Sequence, residues 1–204
     1  PMWLKILKEV PDLDRRDFSH MFSVSFGAAA MPGWAVTRIG DLFPNAMIFN
    51  IYGLTEAGGA ACMLLPGDHR VKPNSVGKPV GECEVRIMDD TGRDTPPCVP
   101  GEILMRMPGV KTREYFKDRE ATSLVWDGDG WTHTGDVGYL DEEGYLFLVD
   151  RIKDIIIQGG NNVSTMEVEG ILMEHPFVRE AAVVGLAHDT LGEMVTAFVA
   201  IKDG

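Results

Sequence analysis

The sequence is poor in cysteine, short of basic residues relative to acidic ones, and free of repeats and low-complexity tracts. Its three cysteines, Cys62, Cys83 and Cys98, form no CxxC pair, and any single disulfide leaves one of them over. That argues against a disulfide framework and a thiolate zinc site, and a reducing, cytoplasmic setting is expected. No run reaches the roughly 18 apolar residues that a membrane-spanning helix needs, so none is expected. Nor does any stretch look like a signal peptide. Nineteen basic residues stand against 31 acidic ones, for a net charge of -12. Such a chain repels phosphodiester backbones and anionic membrane surfaces, so neither nucleic acid nor membrane is expected as a partner. A small anion such as a nucleotide remains compatible, because a divalent cation and local basic groups can neutralise it.

What is present is an ordinary globular composition, 45% hydrophobic and 25% charged over 204 residues, enough for one large domain or two small ones. The first sixty residues alternate between helical and strand patterns. PMWLKILKEV places Met2, Trp3, Ile6, Leu7 and Val10 at helical spacing before Pro11. MFSVSFG reads as a strand ended by Gly27. Residues 33 to 43 read as a helix with Trp34, Ile39 and Leu42 toward the core, and AMIFNIY reads as the next buried strand. At the end of that strand stands YGLTEAGG, residues 52 to 59. Glycines there could mark a plain turn, or a place where a ligand approaches the backbone beside a hydroxyl and a carboxylate. Strand, helix, strand layering favours the second reading, since α/β sheets bind ligands beyond the carboxyl ends of their strands.

From about Leu64 to Val149 the texture changes to short strands and turns. ECEVRI alternates strictly, with Cys83, Val85 and Ile87 on one face. KDREATSLVW carries Ala121, Leu124 and Val125 at helical spacing after Asp118, a suitable cap. VGYLDEEGYLFLV reads as a hairpin around residues 141 to 144. A small sheet or distorted, barrel-like arrangement beside the α/β part is expected. After Asp150, DIII reads as a strand, QGGNN as a glycine loop and STMEVEGILMEH as a helix, whose Ser164 and Glu167 match a capping box. EAAVVGL and MVTAFVAIK then read as paired strands of a separate small α+β unit.

The motifs FGAAA, YGLTEAGG, WTHTGD, VDRIKDIIIQGGNNV and EVEGIL occur in that order from about Ser23 to the chain end. In that order they resemble the adenylate-forming (AMP-binding) superfamily, which includes acyl-CoA synthetases, luciferases and peptide-synthetase adenylation domains. The fold this implies is an α/β segment (1–63) and a mostly β subdomain (64–150), together the C-terminal part of a large AMP-binding domain. An incomplete α+β lid (151–204) would follow a hinge near 150–154. The resemblance implies ATP, AMP, Mg²⁺ and coenzyme A as ligands. Gly27, Ala28 and Ala29 would border the adenine and the acyl pocket. Tyr52 would stack on adenine with Gly53 beside it, Thr55 would bond phosphate, and Glu56 would help hold Mg²⁺. Asp136 would accept from the ribose hydroxyls and Arg151 would lie near ribose or phosphate. Lys153 would be the hinge, and Gly159 and Gly160 would line the channel through which the thiol enters.

WTHTGD and QGGNNV look closer to CoA ligases than to peptide-synthetase domains. The implied reaction converts a carboxylic acid, fatty or aromatic, and ATP to acyl-AMP and pyrophosphate, then to a thioester with CoA. Alternatives are an amino-acid-activating or fatty acyl-AMP-forming domain, and a non-catalytic nucleotide-binding remnant. The family's phosphate loop and C-terminal catalytic lysine match nothing in these residues. An internal fragment that does not adenylate by itself is therefore expected.

Overall fold

A computed structural model describes residues 2–28, 31–109 and 113–202. Helix α1 (Met2–Glu9) precedes β1 (Ser23–Gly27), α2 (Gly33–Leu42) and β2 (Met47–Leu54). Strands β1 and β2 pair in parallel, with Gly27 opposite Ile51. Helix α2 is the crossover between them, so the carboxyl ends of both strands open on the same side. Ile39 and Leu42 of α2 meet Val24 and Phe26 of β1 in one buried cluster, against which Trp3, Ile6 and Leu7 of α1 pack. Two apolar residues expected in the core lie outside it: Trp34 is 40% exposed and Met2 76%. Both sit near the start of their helices.

The remaining strands are β3 (Gly59–Leu64), β4 (Ser75–Pro79), β5 (Glu84–Met88), β6 (Gly101–Arg106), β7 (Thr132–Leu140) and β8 (Leu146–Arg151). They continue the first pair into one sheet of order β1-β2-β3-β4-β8-β7-β6-β5. The barrel-like expectation is corrected here. Among the described residues β1 pairs only with β2 and β5 only with β6, so the sheet is open. Its second core joins Cys62, Val76, Cys83, Ile87, Ile103, Met105 and Leu146, as the alternation in ECEVRI requires. The β7–β8 turn closes through Gly144 N–H to Asp141 O at 2.9 Å, at the position expected for the hairpin. Helix α3 (Arg119–Val125) is capped by Asp118, whose carboxylate accepts from Ala121 N–H at 2.9 Å. Leu124, expected to face inward, is 72% exposed. Only one edge of this short helix meets the sheet.

Beyond β8, β9 (Ile156–Gln158), β10 (Asn161–Val163), β11 (Val178–His188) and β12 (Gly192–Ile201) form a second, four-stranded sheet of order β10-β9-β12-β11. Gly159 and Gly160, both at positive φ, make the tight turn between β9 and β10, so the segment read as a loop is a small hairpin. Helix α4 (Thr165–Met173) begins where Ser164 Oγ accepts the Glu167 N–H at 3.1 Å. No helix among the described residues is long and apolar enough to cross a membrane.

Candidate functional site

A cleft of about 990 Å³ opens beyond the carboxyl ends of β1 and β2. Gly27, Ala28, Tyr52, Gly53, Glu56, Asp136 and Arg151 all line it. Thr55 faces an adjoining hollow of about 520 Å³ that shares Gly27, Ala28 and Gly53. The structure thus gathers nearly all of the expected nucleotide-binding residues from four separate segments. Ala29 lies outside the described residues. Lys153 sits in the exposed turn after β8, and Gly159 and Gly160 at the β9–β10 turn; none of the three lines the cleft.

At the centre, Tyr52 Oη donates to Asp136 Oδ2 at 2.6 Å. Asp136 Oδ1 lies 3.3 Å from Arg151 Nε, across the β7–β8 pair that sets Asp136 opposite Arg151. Burial, reinforced by the Asp136 charge and the hydrogen bond to it, pushes the Tyr52 phenol well above its ordinary range, so it stays a neutral donor. Gly135, at φ 69°, lets the chain turn just before Asp136, whose N–H bonds Thr134 Oγ1 at 3.1 Å.

The glycines divide by cause. A Cβ on Gly27 would fall 2.2 Å from Ile51 O, and one on Gly53 1.8 Å from Gly59 O. Close strand approach alone demands glycine at both. Ala28 is different: its φ of 63° is a left-handed conformation that non-glycine residues seldom adopt, held at the lip of the cleft.

Glu56 stands in a single helical turn (Thr55–Ala57) closed by Gly58 at φ 97°. Residues that the sequence reading passed over grip this turn. Tyr115 Oη donates to Glu56 Oε1 at 2.8 Å, Trp126 Nε1 donates to Glu56 O at 3.2 Å, and the Arg113 guanidinium also donates to Glu56 O. The hydrogen bond to Glu56 holds the Tyr115 phenol above its usual range. These partners lie 57 to 70 residues away and match no spacing rule. Among the described residues no group of three or more metal-binding side chains converges. Glu56 therefore offers one carboxylate, with Oε2 free of any described partner. That suits Mg²⁺, which is commonly held by one or two carboxylates with substrate phosphates and water completing its shell.

The cleft's other walls were also missed. His69 bonds Ile48 O through Nε2 at 3.0 Å while its Nδ1 is buried without a partner, and burial lowers its pKa. Ser164, Met166 and Glu167, from the start of α4, complete the rim.

Comparisons with known proteins place the chain in a family. The AMP-binding enzyme family matches residues 1–116, and the AMP-binding enzyme C-terminal domain matches residues 167–204. A 2-succinylbenzoate–CoA ligase of Bacillus cereus is 43% identical over 157 residues, 77% of this chain and 32% of its own length. 4-Coumarate–CoA ligase 1 of Glycine max is 39% identical across the whole chain, which covers 70% of that relative. The solved amide bond synthetase of Marinactinospora thermotolerans superposes over the whole chain with a TM-score of 0.87 at 40% identity, and the match covers 41% of that structure. The chain thus spans about a third to 70% of the relatives it matches. With the cleft built from its residues and a family match over more than half its length, the chain belongs to the AMP-binding, adenylate-forming enzymes.

Proposed function

We propose that this chain is the nucleotide-binding core and the start of the lid of an ATP-dependent, AMP-forming CoA ligase acting on an aromatic carboxylic acid. The observation that carries the reading is the Tyr52–Asp136–Arg151 cluster. A phenol hydrogen-bonds a carboxylate that is ion-paired with a guanidinium, in a cleft shared with Glu56. Support for the substrate class comes from relatives named for 2-succinylbenzoate and 4-coumarate, both aromatic acids.

In this reading the Tyr52 ring packs on adenine while its hydroxyl orients Asp136. Asp136 accepts from the ribose hydroxyls as a carboxylate acceptor, and Arg151 balances its charge and reaches toward the phosphate. Thr55 donates to phosphate oxygen. Glu56 holds Mg²⁺, which when bound supplies positive charge beside the phosphates. A carboxylate oxygen of the acid attacks the α-phosphorus and pyrophosphate leaves. The thiol sulfur of CoA then attacks the acyl carbon, its proton is lost to solvent or base, and AMP departs. The residues' contribution to the first step is positioning and charge neutralisation of two anions. Residues 1–150 act as the later part of the large domain and 151–204 as the start of a lid, turning near 150–154. Lys153 is the pivot, and the Gly159–Gly160 turn makes the thiol channel after rotation. Residues 1–204 alone are expected to release no pyrophosphate.

A second reading is favoured by the amide bond synthetase similarity: the same acyl-adenylate handed to an amine. Supplying the intact enzyme with a panel of aromatic and fatty acids, ATP and either CoA or an amine separates the two. Acyl-CoA from an aromatic acid supports the first reading. Amide without thioester supports the second. Absence of any acid-dependent pyrophosphate release refutes both.

A further inference from the structure

Asp150 has no part in the chemistry above, yet it is one of the most buried charged groups in the chain, 3% exposed at the end of β8. Its Oδ1 accepts the Arg151 N–H at 2.7 Å. Its Oδ2 accepts Thr165 N–H at 2.5 Å, Thr165 Oγ1–H at 3.0 Å and Met166 N–H at 3.3 Å. Ser164 Oγ lies 3.0 Å from Oδ2 and 2.9 Å from Val149 O, dividing its one proton between them. Burial of a carboxylate is costly unless its lone pairs are filled, and here the first-turn N–H groups of α4 fill them. Ser164 caps only the Glu167 N–H, so Asp150 completes the start of the helix from outside it.

The position of these donors gives the arrangement its consequence. Asp150 lies before the turn at 151–155, whose Asp154 and Ile155 N–H groups both bond Arg151 O. Thr165 and Met166 lie after that turn. A rotation of the following unit about Lys153, on any axis that does not run through this contact, carries Thr165 and Met166 away from Asp150.

We propose that Asp150 is a positioning residue that latches the first turn of α4 onto the end of β8. The latch holds Ser164, Met166 and Glu167 as the cleft's rim, and it must open before the lid can turn. This rests on the lid reading given above. Because the Gly159–Gly160 turn stands away from the cleft in the latched arrangement, that arrangement serves acyl-adenylate formation, and the unlatched one serves thioester formation.

The test has two arms. In residues 1–204, amide hydrogen exchange followed by NMR compares Asp150→Ala with the parent. The Thr165 and Met166 amides are expected to exchange at least about tenfold faster, the scale of losing one hydrogen bond to a charged group, while β6 amides are unchanged. In the intact enzyme, single-turnover assays compare pyrophosphate release from acid and ATP with thioester formation from supplied acyl-AMP and CoA. Asp150→Ala is expected to slow the first about tenfold and leave the second equal or faster. Equal slowing of both, or unchanged exchange at Thr165 and Met166, overturns the proposal. Should Asp150→Ala fail to fold, Thr165→Val removes one bond and is expected to shift the same two ratios about threefold; no shift then overturns it. If the unmodified enzyme makes no acyl-AMP, the functional reading fails, and the exchange arm still decides whether the latch exists.

Discussion

Replacing Tyr52 with Phe removes one oxygen atom and keeps the ring. The lost bond, Tyr52 Oη to Asp136 Oδ2 at 2.6 Å, joins a neutral donor to a charged acceptor. Such bonds contribute about 1.5–3 kcal/mol. The Asp136 side chain is 22% exposed and keeps its contact with Arg151, so water can reach Oδ2 after the change. The lower end of the range then applies, about 1.5 kcal/mol of stability lost. With a urea dependence of about 3 kcal/mol per M, the upper end for small proteins, the unfolding midpoint falls by about 0.5 M. Urea titration followed by circular dichroism reads this directly. A double-mutant cycle with Asp136→Asn isolates the pair and is expected to return a coupling of about 1 kcal/mol. On the proposed reading, Tyr52→Phe in the intact enzyme should weaken AMP several-fold while Tyr52→Ala weakens it much further, because only the latter would lose the stacking face. An unchanged midpoint with zero coupling would refute the claim that the phenol holds Asp136 in place.

Gly53→Ala places a methyl group 1.8 Å from Gly59 O, forcing β2 and β3 apart, and is expected to cost about 2–3 kcal/mol by the same urea titration. His69 is held neutral by burial, with its folded pKa below the ordinary 6.5. The unfolded chain therefore takes up a proton first as pH falls below about 6.5, and stability declines from there down through the folded pKa. A His69→Gln variant, measured from pH 8 to pH 5, should show a flatter stability profile over that window. Among the three cysteines only Cys98 is exposed, while burial beside Cys83 pushes Cys62 up to about 12. A thiol reagent at pH 8 should thus label Cys98 rapidly, and Cys62 and Cys83 only on unfolding; fast labelling of all three would contradict the packing of that core.

Local chemistry was the readable part of this sequence. The Asp118 and Ser164 caps and the Asp141–Gly144 turn each involve partners within four residues, so spacing alone announces them. The strict alternation of ECEVRI likewise names its buried face. Features that depend on distant partners were not readable. Nothing near Glu56 shows that Tyr115, Arg113 and Trp126 will surround it, and nothing near Asp150 points to Thr165. Trp34 and Leu124 show the complementary failure, since helical spacing says which side is apolar but not whether another element arrives to cover it. The open sheet has the same origin: several short strands were apparent, though β3 and β4 were not among them, and closure depends on whether β5 finds a partner.

Strand β4 runs between β3 and β8 inside a single core shared by both sides, since Ala61 and Cys62 of β3 pack with Val76 of β4 and Leu146 of β8. It pairs with β3 only through Cys62–Pro79 and Met63–Lys78, and with β8 through Ser75–Phe147 and Gly77–Leu146. The fully buried Ser75 donates to Leu146 O at 2.7 Å, and a Cβ on Gly77 would fall 1.9 Å from the Met63 carbonyl. Tyr52 and Asp136 lie on opposite sides of this narrow seam, so their 2.6 Å bond reports on its registration. For anyone recombining relatives of this family, the seam is a natural place to misjudge. A crossover between 64 and 75 would set residues of one parent against those of the other across this shared core, and is expected to shift the two sides and misalign the cleft. Transplanting β4 together with residues 146–147 would keep the two sides matched.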